Sequence, residues 1–273
     1  MKYKFVAADF DDTLLRSDYT LSERTLNTIR KYVQKGGVFT VATGRMYTSI
    51  ARYLNVLDVS APIICYQGGL IADQKTGEIL RKSVMSNDLA LRLLHELEGR
   101  GMYIQMYYDD VLYVKQKTAY TLKYERTNRI QAVETNEPLS EFARRNQVEP
   151  TKLLVIEDPV ALKRISDEVR AAFATEVLVN LTKPYFMEIA SNRASKATAI
   201  QFLLDRYGFT KEECIAVGDS MNDVSMIEFA GLGVAMGNAF DEVKKIANYV
   251  TLTNDEDGVA EVIEKFCLEE SNE

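Results

Sequence analysis

The chain has 273 residues, 47% hydrophobic and 27% charged, with 33 Lys+Arg against 40 Asp+Glu for a formal net charge of -7. That much apolar surface can bury a core, which excludes disorder as the main state, and the length suits one large domain or two smaller ones. The acidic balance argues against binding by broad phosphate neutralisation, so no nucleic-acid partner is expected.

No run approaches the ~20 consecutive apolar residues of a membrane span, and no membrane partner is expected. Met1 to Phe5 leads straight into a short apolar stretch holding Asp9 and Asp11, which does not read as a signal peptide. Cys65, Cys214 and Cys267 are widely spaced and lack metal-ligand spacing. They read as free thiols in a reducing compartment, and a cytoplasmic location is expected. The single histidine, His95, argues against a His-based zinc site or a Ser-His-Asp triad. It lies in a leucine-rich helical pattern, where a structural role is expected.

Along the chain, Phe5-Val6-Ala7-Ala8 is a short apolar run that stops at Asp9. Ser22 can cap a helix with Leu26, Ile29 and Val33 on one face, and Gly36 can end it. Val38 to Ala42 stops at Thr43-Gly44-Arg45, and Pro62 to Tyr66 stops at Gln67-Gly68-Gly69. Ser86 to Gly99 reads as a helix with Leu89, Leu93, Leu94 and Leu97 as its stripe. Met102 to Tyr108 and Val111 to Gln116 flank Asp109-Asp110 as a hairpin. A strand around Leu153 to Ile156 and a helix from about Ala161 to Ala174 follow. Strands Val177 to Leu181 and Tyr185 to Ile189 are joined at Thr182-Lys183-Pro184. Ser195 caps another helix, with Ile200, Leu203 and Leu204 inward and Gly208 at its end. Cys214 to Val217 stops at Gly218-Asp219, a helix runs from near Asn222 to near Gly231, and Leu232 to Met236 stops at Gly237-Asn238. The acidic tail from Glu269 to Glu273 is expected to fray.

Continuous apolar runs of this length read as strands buried on both faces of a parallel sheet. Alternation with helices predicts an α/β, doubly wound, Rossmann-like core. Between about Ser86 and Ala190 a helix followed by two antiparallel strands occurs at both ends, which reads as an inserted α+β module. The expected division is a core of 1–84 and 191–273 with an insertion at 85–190. Ligands of such a sheet bind at the carboxyl ends of its strands, where Asp9, Thr43, Asp219 and Asn238 fall.

Four local patterns there carry chemistry. Asp9-Phe10-Asp11-Asp12-Thr13 places two carboxylates on one side of an extended chain, which calls for a proton or a hard cation such as Mg²⁺ between them. Asp9 then suits a nucleophile and Asp11 a general acid and base; the competing reading is an Asp-rich turn. Gly218-Asp219-Ser220-Met221-Asn222-Asp223 sets further carboxylates at a second strand end, where Asp219 can complete the metal site and Asp223 can support it. The alternative is a helix cap by Asp219 or Ser220. Thr43-Gly44-Arg45 offers a hydroxyl and backbone N–H groups to a phosphate oxygen, and Arg45 can pair with a substrate anion or with a carboxylate of the insertion. Lys196 opens a helix, where its charge opposes the helix dipole and hints at a phosphate contact; the alternative is an exposed surface lysine.

Taken in order, Asp9-x-Asp11-x-Thr13, Thr43, Lys196 and Gly218-Asp219-x-x-Asn222-Asp223 resemble the haloacid dehalogenase superfamily of phosphotransferases. The insertion resembles a type IIB cap, and the chain from about Phe5 to Phe266 is similar to the Cof-type phosphatases. The resemblance implies that Asp9 forms an aspartyl-phosphate, and that Asp11 protonates the leaving oxygen and then activates water. It implies Mg²⁺ held by Asp9, the Asp11 carbonyl and Asp219 with support from Asp223. Phosphate would be held by Thr43, Lys196, Asn222 and the amides of Gly44 and Phe10, with Arg45 and Asn238 as further substrate contacts. Asp12, Ala197 and Gln67-Gly68-Gly69 depart from the usual Gly, Gly and Asn-Gly-Ala.

The expected activity is Mg²⁺-dependent hydrolysis of small phosphorylated metabolites by a monomer or weak homodimer, with the cap covering the site. Sugar phosphates lead by resemblance, with pyridoxal phosphate or flavin mononucleotide as alternatives. A sugar phosphomutase is a catalytic rival, distinguished by whether phosphate goes to water or back to sugar. A non-catalytic phosphate-ligand protein is disfavoured by the Asp9 and Asp11 pair, since binding alone needs no acid–base carboxylate. Tyr103, Tyr107, Tyr113 and Tyr185 are pocket candidates, although strand tyrosines more often serve packing.

Overall fold

Runs of Val, Ile, Phe and Ala too short for helices become the parallel strands of a five-stranded sheet. Its order is Tyr249–Val250, Leu232–Ala235, Cys214–Gly218, Phe5–Ala8 and Val38–Val41. Phe5–Ala8 and Cys214–Gly218 are buried at every residue, as strands covered on both faces must be. Ala8 is in register with both Val217 and Val41, and Gly218 with Ala235, so the carboxyl ends of four strands lie level. These coordinates are a computed structural model that describes residues 1–57 and 59–269. Residues 270–273 of the acidic tail lie outside the described residues.

The backbone forms two compact units, Met1–Arg45 with Ala51–Leu80 and Ser195–Glu273, and Met46–Ile50 with Arg81–Ala194. In the first, the helix Glu23–Gln34 is capped by Ser22, whose hydroxyl accepts from the amides of Arg24 and Thr25. It buries Thr25, Thr28, Ile29 and Tyr32, while Leu26 and Val33 sit at the edge of that face. One expectation is corrected: among the described residues the Ile63–Cys65 run meets the parallel sheet at one bridge, Ala42 to Ile64, and pairs antiparallel with Leu70–Ala72. Positive φ at Tyr66 (52°), Gln67 (57°) and Gly68 (98°) folds the chain back on itself there.

The second unit is a six-stranded sheet in the order Val177–Lys183, Phe186–Ser191, Lys152–Ile156, Tyr103–Tyr108, Val111–Val114 and Ala132–Glu134. Helices Asn87–Gly99, Leu139–Asn146 and Pro159–Phe173 bury Leu93, Leu97, Ala143 and Ile165 against Met106, Val155, Met187 and Ile189. The hairpin turn falls on Asp109 and Asp110, both at positive φ. The last hairpin turns at Pro184-Tyr185, later than expected, because a bulge between Leu181 and Lys183 extends the strand. The helix Ala119–Asn128, the strand Ala132–Glu134 and the helix Leu139–Asn146 are not apparent in the sequence pattern; the first is mostly exposed and has no apolar stripe. His95 is exposed beside Arg144 (2.9 Å) rather than packed in a core. Tyr113 packs on Phe142, Tyr107 is buried and Tyr185 is exposed. Among the described residues no helix is long and apolar enough to cross a membrane.

The opposite face of this sheet carries a buried ion pair. Lys152 Nζ lies 2.8 Å from Glu188 Oε1, with side-chain exposures of 4% and 13%. Removing one partner of such a pair strands a desolvated charge. Glu188→Ala is therefore expected to cost about 3–5 kcal/mol of stability, and Glu188→Gln less, because it retains a hydrogen-bond acceptor. Urea unfolding midpoints measure both, and equal midpoints for wild type and Glu188→Ala would refute this.

Candidate active site

Level strand ends bring together residues far apart in the chain. Asp9 follows Phe5–Ala8 directly, and its N–H continues the ladder to the Val217 carbonyl at 2.9 Å. Asp219 follows Gly218 on the neighbouring strand. Asp223 lies one short turn later, with its carboxylate under Gly218. A Cβ on Gly218 would come within 2.5–2.7 Å of the Asp223 side chain, so only glycine leaves room there.

Lys196 is the first residue of the helix Lys196–Tyr207, which Ser195 caps through the Thr198 amide. Its ammonium does not point to solvent. It is buried, and Nζ lies 2.5 Å from Asp9 and 2.5 Å from Asp223. The surface-lysine reading is thereby excluded, and the unfavourable position at a helix start is offset by two carboxylates. Asp223 is fully engaged, since Oδ1 takes the ammonium and Oδ2 accepts the N–H groups of Asp219 and Ser220, each at 3.0 Å. Asp219 Oδ1 accepts from the Thr13 hydroxyl at 2.9 Å. Asp9 Oδ1 takes the ammonium, and among the described residues Oδ2 receives no hydrogen bond.

Asp9, Asp219 and Asp223 each offer a carboxylate oxygen, and these oxygens lie within 4.8 Å of one another. Three buried carboxylates face one ammonium, so negative charge is in excess. Burial, with Asp223 adding to it, pushes the Asp219 carboxyl up to about 7. Burial also holds Asp9 well above the ordinary carboxylate range, with Asp223, Asp219 and Asp11 adding and Lys196 opposing. Burial works against the Lys196 ammonium, but Asp223 and Asp9 more than offset it and raise its pKa. An all-oxygen set with surplus negative charge fits a hard divalent cation.

A family profile of haloacid dehalogenase-like hydrolases matches residues 6–263. The chain belongs to that family. Over 96% of its length this haloacid dehalogenase-like hydrolase is 31% identical to a 5-amino-6-(5-phospho-D-ribitylamino)uracil phosphatase of Bacillus subtilis, 96% of which is covered. It is also similar to a pyridoxal phosphate phosphatase of Escherichia coli, at 27% identity over 96% of this chain and 98% of that one. A crystal structure of a haloacid dehalogenase-like hydrolase from Bacteroides thetaiotaomicron superposes with a TM-score of 0.85 at 33% identity, covering 96% of this chain and 99% of the other.

The other residues singled out in the sequence of this hydrolase fall in two groups. Thr43 is buried, its hydroxyl accepts the Arg45 N–H at 3.1 Å, and its carbonyl accepts the Gln67 N–H at 3.0 Å. Gln67 lies over Gly44, where a Cβ would meet Gln67 Nε2 at 2.4 Å. Asn222 donates to Gln67 Oε1 at 3.1 Å and accepts from the Ser220 hydroxyl. The departure from Asn to Gln at 67 keeps a carboxamide but lengthens its reach, and it is this carboxamide that accepts from Asn222 and lies over Gly44.

Asn238 serves the loops: it donates to the Asp12 carbonyl at 2.8 Å and accepts the Asn254 N–H at 3.0 Å. Asp12 adopts φ 56°, in the region that favours glycine, which explains why glycine is usual there. The carboxylate of Asp11 is not part of the Asp9, Asp219 and Asp223 group. Arg45 instead forks it, from Nε to Oδ2 at 2.8 Å and from Nη2 to Oδ1 at 2.6 Å. The side chains of Asp9 and Asp11 do not share a side as an extended chain would place them, because Phe10 between them is helical rather than extended and turns Asp11 toward Arg45.

Proposed function

We propose that this haloacid dehalogenase-like hydrolase is a Mg²⁺-dependent phosphatase of small phosphorylated metabolites, with sugar phosphates as the leading class. The carrying observation is Lys196, buried between Asp9 and Asp223 at the carboxyl edge of the sheet, with Asp219 beside them. Asp9, Asp219 and the Asp11 carbonyl, with Asp223 in support, would hold Mg²⁺, which supplies positive charge against the transferring phosphoryl group.

The chain's own groups divide the reaction in two. Asp9 attacks phosphorus while Asp11 gives its proton to the departing ester oxygen, leaving an aspartyl-phosphate and a free alcohol. Asp11, now ionised, takes a proton from water as the water oxygen bonds to phosphorus and the Asp9 bond breaks. Lys196 holds the Asp9 carboxylate in place and adds positive charge near the phosphoryl oxygens. Thr43, Lys196, Asn222 and the amides of Gly44 and Phe10 are the proposed phosphate contacts. The unit that includes 81–194 is the proposed specificity module.

The names of the Bacillus subtilis and Escherichia coli relatives favour a second substrate class, phosphate esters attached to heterocycles. A reducing cytoplasm is the proposed location, supported by three buried free thiols. A monomer or weak homodimer is the proposed assembly.

A phosphate-release screen over sugar phosphates, pyridoxal phosphate and flavin mononucleotide tests the function. Turnover is expected with Mg²⁺, none in excess chelator, and little with Ca²⁺, whose larger and looser coordination shell misplaces Asp9. Full turnover in chelator would overturn the metal assignment. Transfer of phosphate back to sugar rather than to water would replace the phosphatase reading with a mutase.

A further inference from the structure

Arg45 occupies an unusual position. The edge formed by Nε and Nη2 is taken up by both oxygens of Asp11, at 2.8 and 2.6 Å. Its guanidinium carbon lies 5.1 Å from the Phe10 ring centroid and 5.8 Å from that of Tyr53, and the two rings are 4.8 Å apart. The Arg45 N–H donates to the Thr43 hydroxyl, and its carbonyl accepts the Tyr66 N–H at 3.0 Å. Stem, face and fork are all fixed, and only 12% of the Arg45 side chain is exposed. Asp11 is held by this fork yet is 46% exposed.

Two parallel N–H···O bonds determine the plane of a carboxylate as well as its position. Each carboxylate oxygen carries two lone-pair sites, and the fork uses one on each. The remaining sites stay open on the exposed side. We propose that Arg45 is a positioning residue, which aims Asp11 at the ester oxygen of the substrate through the fork, and is not itself a substrate ligand. Tyr53 and Phe10 hold the guanidinium in place for that task. The inference rests on the phosphatase reading, in which Asp11 delivers a proton to the leaving oxygen and then takes one from water.

An aimed acid matters most when the departing oxygen is a poor leaving group. An alkoxide needs its proton as the P–O bond breaks, whereas p-nitrophenolate does not. A residue that binds the phosphoryl group serves both substrates equally. The test therefore measures kcat and KM of wild type, Arg45→Ala and Arg45→Lys on two substrates, the best alkyl phosphomonoester of the screen and p-nitrophenyl phosphate.

Arg45→Ala is expected to lose about 10-fold to 100-fold more kcat/KM on the alkyl ester than on the aryl ester; kcat/KM reports formation of the aspartyl-phosphate, whereas kcat also includes its hydrolysis, a step common to both substrates. Arg45→Lys keeps the charge and the stem but not the fork, and is expected to recover part of the loss. In the Asp11→Asn background, Arg45→Ala is expected to add less than about 3-fold, because a residue that acts only through Asp11 has nothing left to aim. Equal loss of kcat/KM on both substrates, or full additivity with Asp11→Asn, would overturn the proposal. Phosphate release by wild type reports on the phosphatase reading alone, while the ratio between the two substrates reports on Arg45.

Discussion

Asp9→Asn is expected to retain about a thousandth or less of wild-type turnover. The carboxamide has nearly the shape of the carboxylate but is no nucleophile, so no aspartyl-phosphate forms. Loss of one negative charge also weakens the hold on a divalent cation. The same substitution is expected to leave the fold intact. Burial already pushes the Asp9 carboxyl upward against ionisation, so a neutral side chain removes an electrostatic cost. Lys196 keeps its contact with Asp223 at 2.5 Å. Thermal unfolding in chelator should therefore show a Tm no lower than wild type, while phosphate release collapses. Retention of more than a tenth of wild-type turnover would rule Asp9 out as the nucleophile, and a collapsed Tm would show that its role is structural.

Lys196→Met is expected to have the largest effect on stability. The replacement is unbranched and fits the buried stem, but it leaves Asp9, Asp219 and Asp223 without their ammonium. Breaking a buried charge cluster in this way costs about 3–5 kcal/mol. The cost is expected to depend on pH with a definite sign. Asp219 rises from 3.8 to about 7 on folding, so the folded state binds the proton more tightly than the unfolded one. That contribution is fully present below pH 4 and is lost as pH rises through about 7. The ammonium opposes the rise at both Asp9 and Asp219, so removing it deepens the alkaline loss. Lys196→Met should lie near wild type at pH 5 and far below it at pH 8 in chelator. Mg²⁺ should restore part of the Tm at pH 8. An equal deficit at both pH values would mean that lost packing, not charge, explains it. Turnover is expected to fall as well, since the charge beside the phosphoryl group is gone.

Local pattern carried much of this protein. Short apolar runs bounded by Asp, Thr-Gly or Gly-Asp are enough to identify buried strands, because no polar alternation could survive burial on both faces. Ser22, Ser86 and Ser195 announced helix starts that the structure places there, since a cap is satisfied by residues two or three positions away. The order of Asp9, Thr43, Lys196 and Asp219 was legible as well. Asp9, Thr43 and Asp219 each follow a strand end, whereas Lys196 opens a helix and takes its place in the order from the family resemblance.

Other features depend on partners that no window of sequence contains. The Lys196 to Asp9 contact spans 187 positions and the Thr13 to Asp219 bond spans 206. From the residue alone, Lys196 reads more readily as an exposed surface lysine than as a buried one. Only the level register of neighbouring strands brings its two carboxylates to it. The helix Ala119–Asn128 shows no stripe because it is mostly exposed, and its start rests on the reciprocal bonds of Thr118 and Thr121. Asp11 looked like a partner of Asp9 because alternate residues share a side in an extended chain. The helical turn at Phe10 breaks that rule and hands Asp11 to Arg45, and an ion pair between residues 34 positions apart follows from the fold rather than from spacing. Strand and helix content is decided by contacts within a few residues, whereas the pairing of charges is decided by which strand ends the sheet sets side by side.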